Sequence, residues 1–197
     1  MQKSPATNPN EVALLYLTPI YLSLMAAFSN IQEVLLKHWG YSQFRPLQAD
    51  IINSVLAGND TLALMPTGGG KSICFQVPAM ARQGICVVVS PLISLMKDQV
   101  DSLRKKGIKA IAIVSGMGRK EIDIALDNCI LGDVKFLYLS PERLESDLAI
   151  ARLKQMNINL LAVDEAHCIS QWGYDFRPSY LRIAEIREFL PNVQYWH

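Results

Sequence analysis

Thr67-Gly68-Gly69-Gly70-Lys71-Ser72 and Asp164-Glu165-Ala166-His167 are the two clusters whose residue types and spacing could do chemistry. The first follows an expected strand and opens an expected helix, the context in which a glycine-rich loop becomes a phosphate cradle. Glycines let the backbone turn tightly and aim consecutive N–H groups inward, and the helix N-terminus adds partial positive charge toward an anion. Lys71 can then reach the β- and γ-phosphates, and Ser72 is placed to ligate the Mg²⁺ that bridges them. The full G-x-x-x-x-G-K-[ST] pattern is met in part, because Met65 stands at its first glycine position.

The second cluster comes straight after the apolar run Leu160-Leu161-Ala162-Val163, so its carboxylates project from the C-terminal tip of a buried strand. Open α/β sheets place ligand chemistry there. Asp164 would hold Mg²⁺ through water, and Glu165 would orient and deprotonate an attacking water. With Lys71, these are the candidate catalytic groups.

The elements that must position both clusters follow from the hydrophobic pattern. From Asn59 onward, short apolar runs alternate with amphipathic stretches, the signature of an α/β fold with a mainly parallel sheet flanked by helices. The expected strands are Thr61 to Met65, Ile85 to Ser90, Ala110 to Val114, Lys135 to Leu139 and Leu160 to Val163, all apolar enough to be buried on both faces. After the second strand, Leu92, Leu95, Met96, Gln99, Val100 and Leu103 recur near the 3.6-residue period and predict a helix. Arg104, Lys105 and Lys106 complement its dipole, and Gly107 can take the left-handed conformation that ends it. Ile122 to Leu131 is expected to return the chain across the sheet.

The 197 residues suffice for one domain that buries roughly 70% of the surface its unfolded chain exposes. Apolar residues make up 50% of the chain and charged ones 19%, which excludes a disordered profile. With 19 Lys and Arg against 18 Asp and Glu the formal charge is +1, so any contact with nucleic acid must be local. Cys74, Cys86, Cys129 and Cys168 contain no C-x-x-C pair, which argues against a zinc site or a secreted disulfide framework and for a reducing cytoplasm. Val12 to Phe28 is uncharged and apolar, but Pro19 interrupts it and it falls short of the ~20 residues a spanning helix needs, so no membrane role is expected.

Beyond the two clusters, four long blocks resemble the RecQ family of ATP-dependent DNA helicases, in superfamily 2 with a DEAH box. They are Gly40-Tyr41-Ser42-Gln43-Phe44-Arg45-Pro46-Leu47-Gln48, Met65 to Ser72, Ser90 to Gln99 and Ala162 to Tyr180. A phosphate loop alone would indicate only an NTPase. It is the continuation Cys168-Ile169-Ser170-Gln171-Trp172-Gly173 that resembles RecQ rather than RNA-remodelling relatives. The resemblance covers residues 30 to 194 and implies a RecA-like P-loop NTPase domain that uses ATP and Mg²⁺. It implies that Tyr41 stacks on adenine while Arg45 and Gln48 read its edge. Thr67, Gly68, Gly69, Gly70, Lys71 and Ser72 would hold the phosphates, with Ser72 and Asp164 on the metal.

The same resemblance makes Gln171 to Arg177 a loop that couples single-stranded DNA to ATP hydrolysis. There Trp172 and Phe176 would stack on bases, worth ~1–3 kcal/mol per base, Arg177 would meet the backbone, and Gln171 would belong to the same coupling and DNA-binding set. Read alone, Trp172 and Phe176 serve equally as core aromatics. His167 would relay between the acidic box and this loop. Tyr174 departs from the family, which has histidine there, and loses that ring's proton chemistry. Ser90 to Gln99 resembles a motif whose helix start touches the DNA backbone through N–H groups.

A 3'–5' DNA helicase of recombination and repair is implied, DNA-associated in the cytoplasm, with single-stranded or partly duplex DNA as its partner. Where the family continues into a strand and a Thr-Ala-Thr turn, Tyr195-Trp196-His197 ends this sequence. Residues 30–197 are therefore expected to be the helicase ATP-binding domain, truncated before the later motifs, with a second RecA-like domain as the missing partner. An arginine finger is worth roughly 10³–10⁵ in rate, so the fragment is expected to bind ATP, hydrolyse it very slowly and not unwind DNA. Residues 1–29 are expected to be an N-terminal extension that is not native, since Met25-Ala26-Ala27-Phe28-Ser29-Asn30 looks like a family start. Two other readings stand beside this one: a non-catalytic nucleotide- or DNA-binding fragment, and an RNA-remodelling superfamily 2 ATPase.

Overall fold

The computed structural model describes residues 31–66, 68–169 and 178–197, and within them four of the five expected strands form. The chain divides into two units, Met1–Gln43 and Phe44–His197. In the first, helix α1 runs over 31–39, and the Gly40 N–H closes it on the Leu36 carbonyl at 3.0 Å.

In the second unit the strands are β1 (Ile85–Val89), β2 (Ala110–Ile113), β3 (Phe136–Leu139), β4 (Ile158–Val163) and β5 (Tyr195–Trp196). They pair in the order β2-β3-β1-β4-β5, every pair parallel. Parallel neighbours need crossovers, and helices supply them. Helix α4 (Ile93–Lys105) joins β1 to β2, and α5 (Arg119–Leu131) joins β2 to β3. Helix α6 (Asp147–Leu153) lies between β3 and β4, and α7 (Arg182–Phe189) between β4 and β5. Helices α2 (Gln48–Leu56) and α3 (Lys71–Ala81) precede β1.

Side chains alternate along each strand, so the sheet has two apolar faces. Val87, Leu137 and Leu161 join Leu126, Leu153, Ile183 and Ile186 of α5, α6 and α7 in one cluster. Tyr138, one residue beyond Leu137, turns the other way, where its hydroxyl meets Gln76 of α3 and Gln99 of α4 at 3.1 and 2.8 Å. Helix α4 ends as its sequence predicts: Arg104 and Lys105 occupy the last turn, and Gly107 takes φ 74°.

Thr61 to Met65 does not form the expected strand. Thr61 makes one parallel bridge to Trp196, and the N–H groups of Thr61 and Ala63 reach the carbonyls of Tyr195 and His197 at 2.8 and 2.6 Å. Alternate residues of an edge strand bond their parallel neighbour, and here that pairing goes no further than Thr61 and Ala63, too short for a ladder. Leu62 and Leu64, expected to be buried, are 64% and 80% exposed.

The order of connections fixes where a ligand can lie. From β1 the chain crosses toward β2 on one side of the sheet, whereas β4 leads to β5 on the other. Neighbouring strands whose connections diverge leave a crevice at their carboxyl ends. Ser90 and Asp164 follow those two ends directly.

Candidate functional site

The phosphate loop runs straight into α3. Its Gly69 N–H bonds the Pro66 carbonyl at 3.0 Å, and Gly70 is the N-cap with φ 80° and ψ 37°, a left-handed backbone that side chains avoid. A Cβ on Gly70 would also stand 2.5 Å from Gln48 Nε2. Gln48 is 2% exposed, and both ends of its amide are used. It accepts the Arg45 N–H at 2.8 Å and donates to the Gly69 and Gly70 carbonyls at 3.3 and 3.2 Å. The Arg45 guanidinium donates to the Gly68 carbonyl at 2.8 Å. The C=O and N–H of one trans peptide point in opposite directions, so holding the Gly69 and Gly70 carbonyls turns the N–H groups of Gly70 and Lys71 away from Gln48. Met65, at the position where the phosphate-loop pattern has glycine, packs its thioether 3.5 Å from the buried Cys74 thiol of α3. Thr67 lies outside the described residues.

The acidic pair is held by the sheet. The Asp164 N–H bonds the Val89 carbonyl at 2.8 Å, and the buried Tyr180 hydroxyl donates to the Asp164 carbonyl at 2.8 Å. Asp164 is 7% exposed. Its Oδ1 accepts the Glu165 N–H at 3.1 Å, while its Oδ2 is buried without a partner among the described residues. Burial pushes the Asp164 carboxyl above its ordinary range and neighbouring Glu165 adds to this, against the pull of the Glu165 N–H, the Lys71 charge and Ser90. Ser90 acts at a distance: its hydroxyl favours the carboxylate but completes no hydrogen bond. Glu165 takes φ 53°, a strained backbone for a residue with a side chain, and its Oε2 lies 3.3 Å from His167 Nδ1.

One cleft of about 770 Å³ receives residues of both clusters. Lys71, Asp164, Glu165 and His167 line it together with Leu62, Leu64 and Trp196. A buried carboxylate oxygen without a hydrogen-bond partner among the described residues, in a cleft that also receives Lys71, fits a hydrated divalent cation beside an anion. Ser72, in the first turn of α3, stands at the same helix start as Lys71.

A family model described as DEAD/DEAH box helicase matches residues 45–195. The chain belongs to the DEAD/DEAH box helicase family. Among its relatives it is 45% identical over 163 residues to a probable ATP-dependent DNA helicase RecS of Bacillus subtilis, covering 82% of this chain and 32% of that one. It is 50% identical over 153 residues to the ATP-dependent DNA helicase RecQ of the same organism, covering 77% of this chain and 26% of that one. A putative ATP-dependent RNA helicase R290 of Acanthamoeba polyphaga mimivirus is 40% identical over 172 residues, covering 86% of this chain and 31% of that one. The chain thus spans about a quarter to a third of the length of these relatives.

The structure brings Lys71, Asp164, Glu165 and His167 of this helicase-family chain to one cleft, with Arg45 and Gln48 behind the phosphate loop. Tyr41, half exposed, belongs to the first unit. Gln171, Trp172, Tyr174, Phe176 and Arg177 lie outside the described residues, as do residues 1–29. No helix among the described residues is long and apolar enough to cross a membrane. Two side chains at the site carry no local sequence signal. The Tyr180 hydroxyl bonds a backbone carbonyl 16 residues away, and the Ser90 hydroxyl reaches the acidic pair only through strand pairing.

Proposed function

We propose that this chain is the ATP- and Mg²⁺-binding motor domain of a RecQ-type 3'–5' DNA helicase that hydrolyses ATP to unwind DNA in recombination and repair. The observation that carries the reading is that Lys71, at the start of α3, and the Asp164–Glu165 pair, at the end of β4, line one cleft. Thr67 to Ser72 hold the phosphates, with N–H groups at a helix N-terminus and the Lys71 charge opposing theirs. Bound Mg²⁺ neutralises charge on the β- and γ-phosphates. Ser72 and Asp164 hold it, and Glu165 orients and deprotonates water from a backbone that fixes its carboxylate, with His167 beside it. Tyr41, Arg45 and Gln48 receive adenine, and Gln171, Trp172, Phe176 and Arg177 meet DNA. The printed names of the two Bacillus relatives support DNA as the partner, and a second RecA-like domain is proposed as the other half of the motor.

Calorimetry of the chain with ATP and Mg²⁺ tests the site. Lys71→Ala is expected to weaken binding about tenfold or more, the loss of one charge-assisted contact. Unchanged affinity would show that the loop does not hold the phosphates. Titration with single-stranded DNA and RNA of one sequence tests the partner. Tighter binding of RNA would favour the RNA-remodelling reading that the mimivirus relative's name raises.

A further inference from the structure

Ser90 has no ordinary reason to be a serine. It follows β1, whose residues Ile85–Val89 are all apolar and buried, and it is itself 1% exposed with an Oγ that finds no partner among the described residues. Serine beside a helix start commonly caps it. Here the N-cap of α4 is Leu92, two residues on, and no side chain caps the helix. Burying a hydroxyl without a partner is costly, so such a group in a native protein calls for a water or an ion as its partner.

Strand register says what that partner serves. Val89 lies opposite Val163 in the parallel β1–β4 pair, so Ser90 and Asp164 are the next residues on adjacent strands, which run about 4.8 Å apart. Both backbones are pinned there, Ser90 by its N–H on the Leu139 carbonyl at 3.1 Å and Asp164 by its N–H on the Val89 carbonyl at 2.8 Å. Asp164 Oδ1 is occupied by the Glu165 N–H at 3.1 Å, and Oδ2 is the second buried polar atom without a partner. Two unpartnered oxygens, one hydroxyl and one carboxylate, thus flank the crevice where the sheet connections diverge.

We propose that Ser90 is a positioning residue of the metal site: its hydroxyl and Asp164 Oδ2 together hold one water of the hydration shell of the nucleotide-bound divalent cation. The hydroxyl donates or accepts as the water requires, which a carboxylate cannot do. The metal's place beside Asp164 is then set by β1 as well as by β4 and the phosphate loop. This rests on the Mg-ATP reading above, and the test separates the two.

Mn²⁺ serves as the probe, its binding to the complex of the chain with ADP followed by electron paramagnetic resonance, and ADP binding in excess EDTA measured alongside. Ser90→Ala is expected to weaken Mn²⁺ about tenfold, the lower end of the effect of removing a group that supports a metal ligand. ADP affinity in EDTA should stay as it was, and Ser90→Thr, which keeps the hydroxyl, should restore the metal. The unfolding temperature without metal should fall only slightly in Ser90→Ala, because the hydroxyl favours the Asp164 carboxylate but completes no hydrogen bond among the described residues. Unchanged Mn²⁺ affinity in Ser90→Ala, or a lowered unfolding temperature with the metal unaffected, overturns the proposal and leaves the ATP site standing. If the unaltered chain binds no Mn²⁺ with ADP, or Lys71→Ala leaves ADP affinity unchanged, the nucleotide reading itself fails and takes this one with it.

Discussion

Asp164 carries a charge that its surroundings disfavour. Burial first, and then Glu165, raise its carboxyl above the ordinary range, so the folded chain takes up this proton more readily than the unfolded one. A raised folded value makes the contribution to stability fully present below the unfolded carboxylate pKa, about 4, and lost as pH rises through the folded value. Asp164→Asn, free of metal, should therefore unfold at a higher temperature than the natural chain at neutral pH, with the gap closing below about pH 4. Thermal unfolding at the two pH values measures it, and a gap that widens on acidification would contradict the sign. On the proposed reading, in which Asp164 holds the metal, the same variant should lose Mg²⁺-dependent nucleotide binding. Gln48 shows another residue-scale property. Beside the adenine role proposed for it, its buried amide holds the Gly69 and Gly70 carbonyls and the Arg45 N–H.

Among the elements, α3, β3 and α4 meet at one oxygen. The fully buried Tyr138 hydroxyl accepts from Gln76 at 3.1 Å and donates to Gln99 at 2.8 Å, and Gln76 also lies 3.4 Å from Gln99. Tyr138→Phe keeps the ring and removes the joint, leaving amide groups short of partners. It should cost about 1–3 kcal/mol in urea unfolding. A neutral result would show that water or the two glutamines compensate. Helix α4 itself was legible in the sequence down to its last turn and Gly107, because amphipathic spacing and end chemistry are local. Thr61 to Met65 was not, since an apolar run becomes a strand only along a partner, and its pairing stops after Ala63. The helices α6 and α7 carry no expectation from the sequence, being 7 and 8 residues long and therefore dependent on packing.

For the whole molecule, the thiols report closure. Cys74, Cys86, Cys129 and Cys168 are all buried thiols. Desolvation pushes the Cys74 and Cys129 thiols up to about 12, and Cys86 further. Iodoacetamide at neutral pH should therefore label these three only as fast as the second unit opens, with rates that rise together in denaturant. Fast labelling of Cys74 alone would mean that α3 loosens independently, and with it the phosphate loop. The sequence by itself determined which groups can do the chemistry: Gly68 to Ser72 need only a tight turn that opens a helix, and Asp164-Glu165 need only the tip of an apolar strand, both written in consecutive residues. Only the tertiary structure decided what stands around them. Gln48 reaches a loop carbonyl 22 residues away, Tyr180 the backbone of Asp164, and Ser90 stands beside that aspartate through the register of β1 and β4. Periodicity reports which face of an element is apolar, whereas register and the meeting of distant polar groups are set by how those faces pack, and no local spacing encodes that.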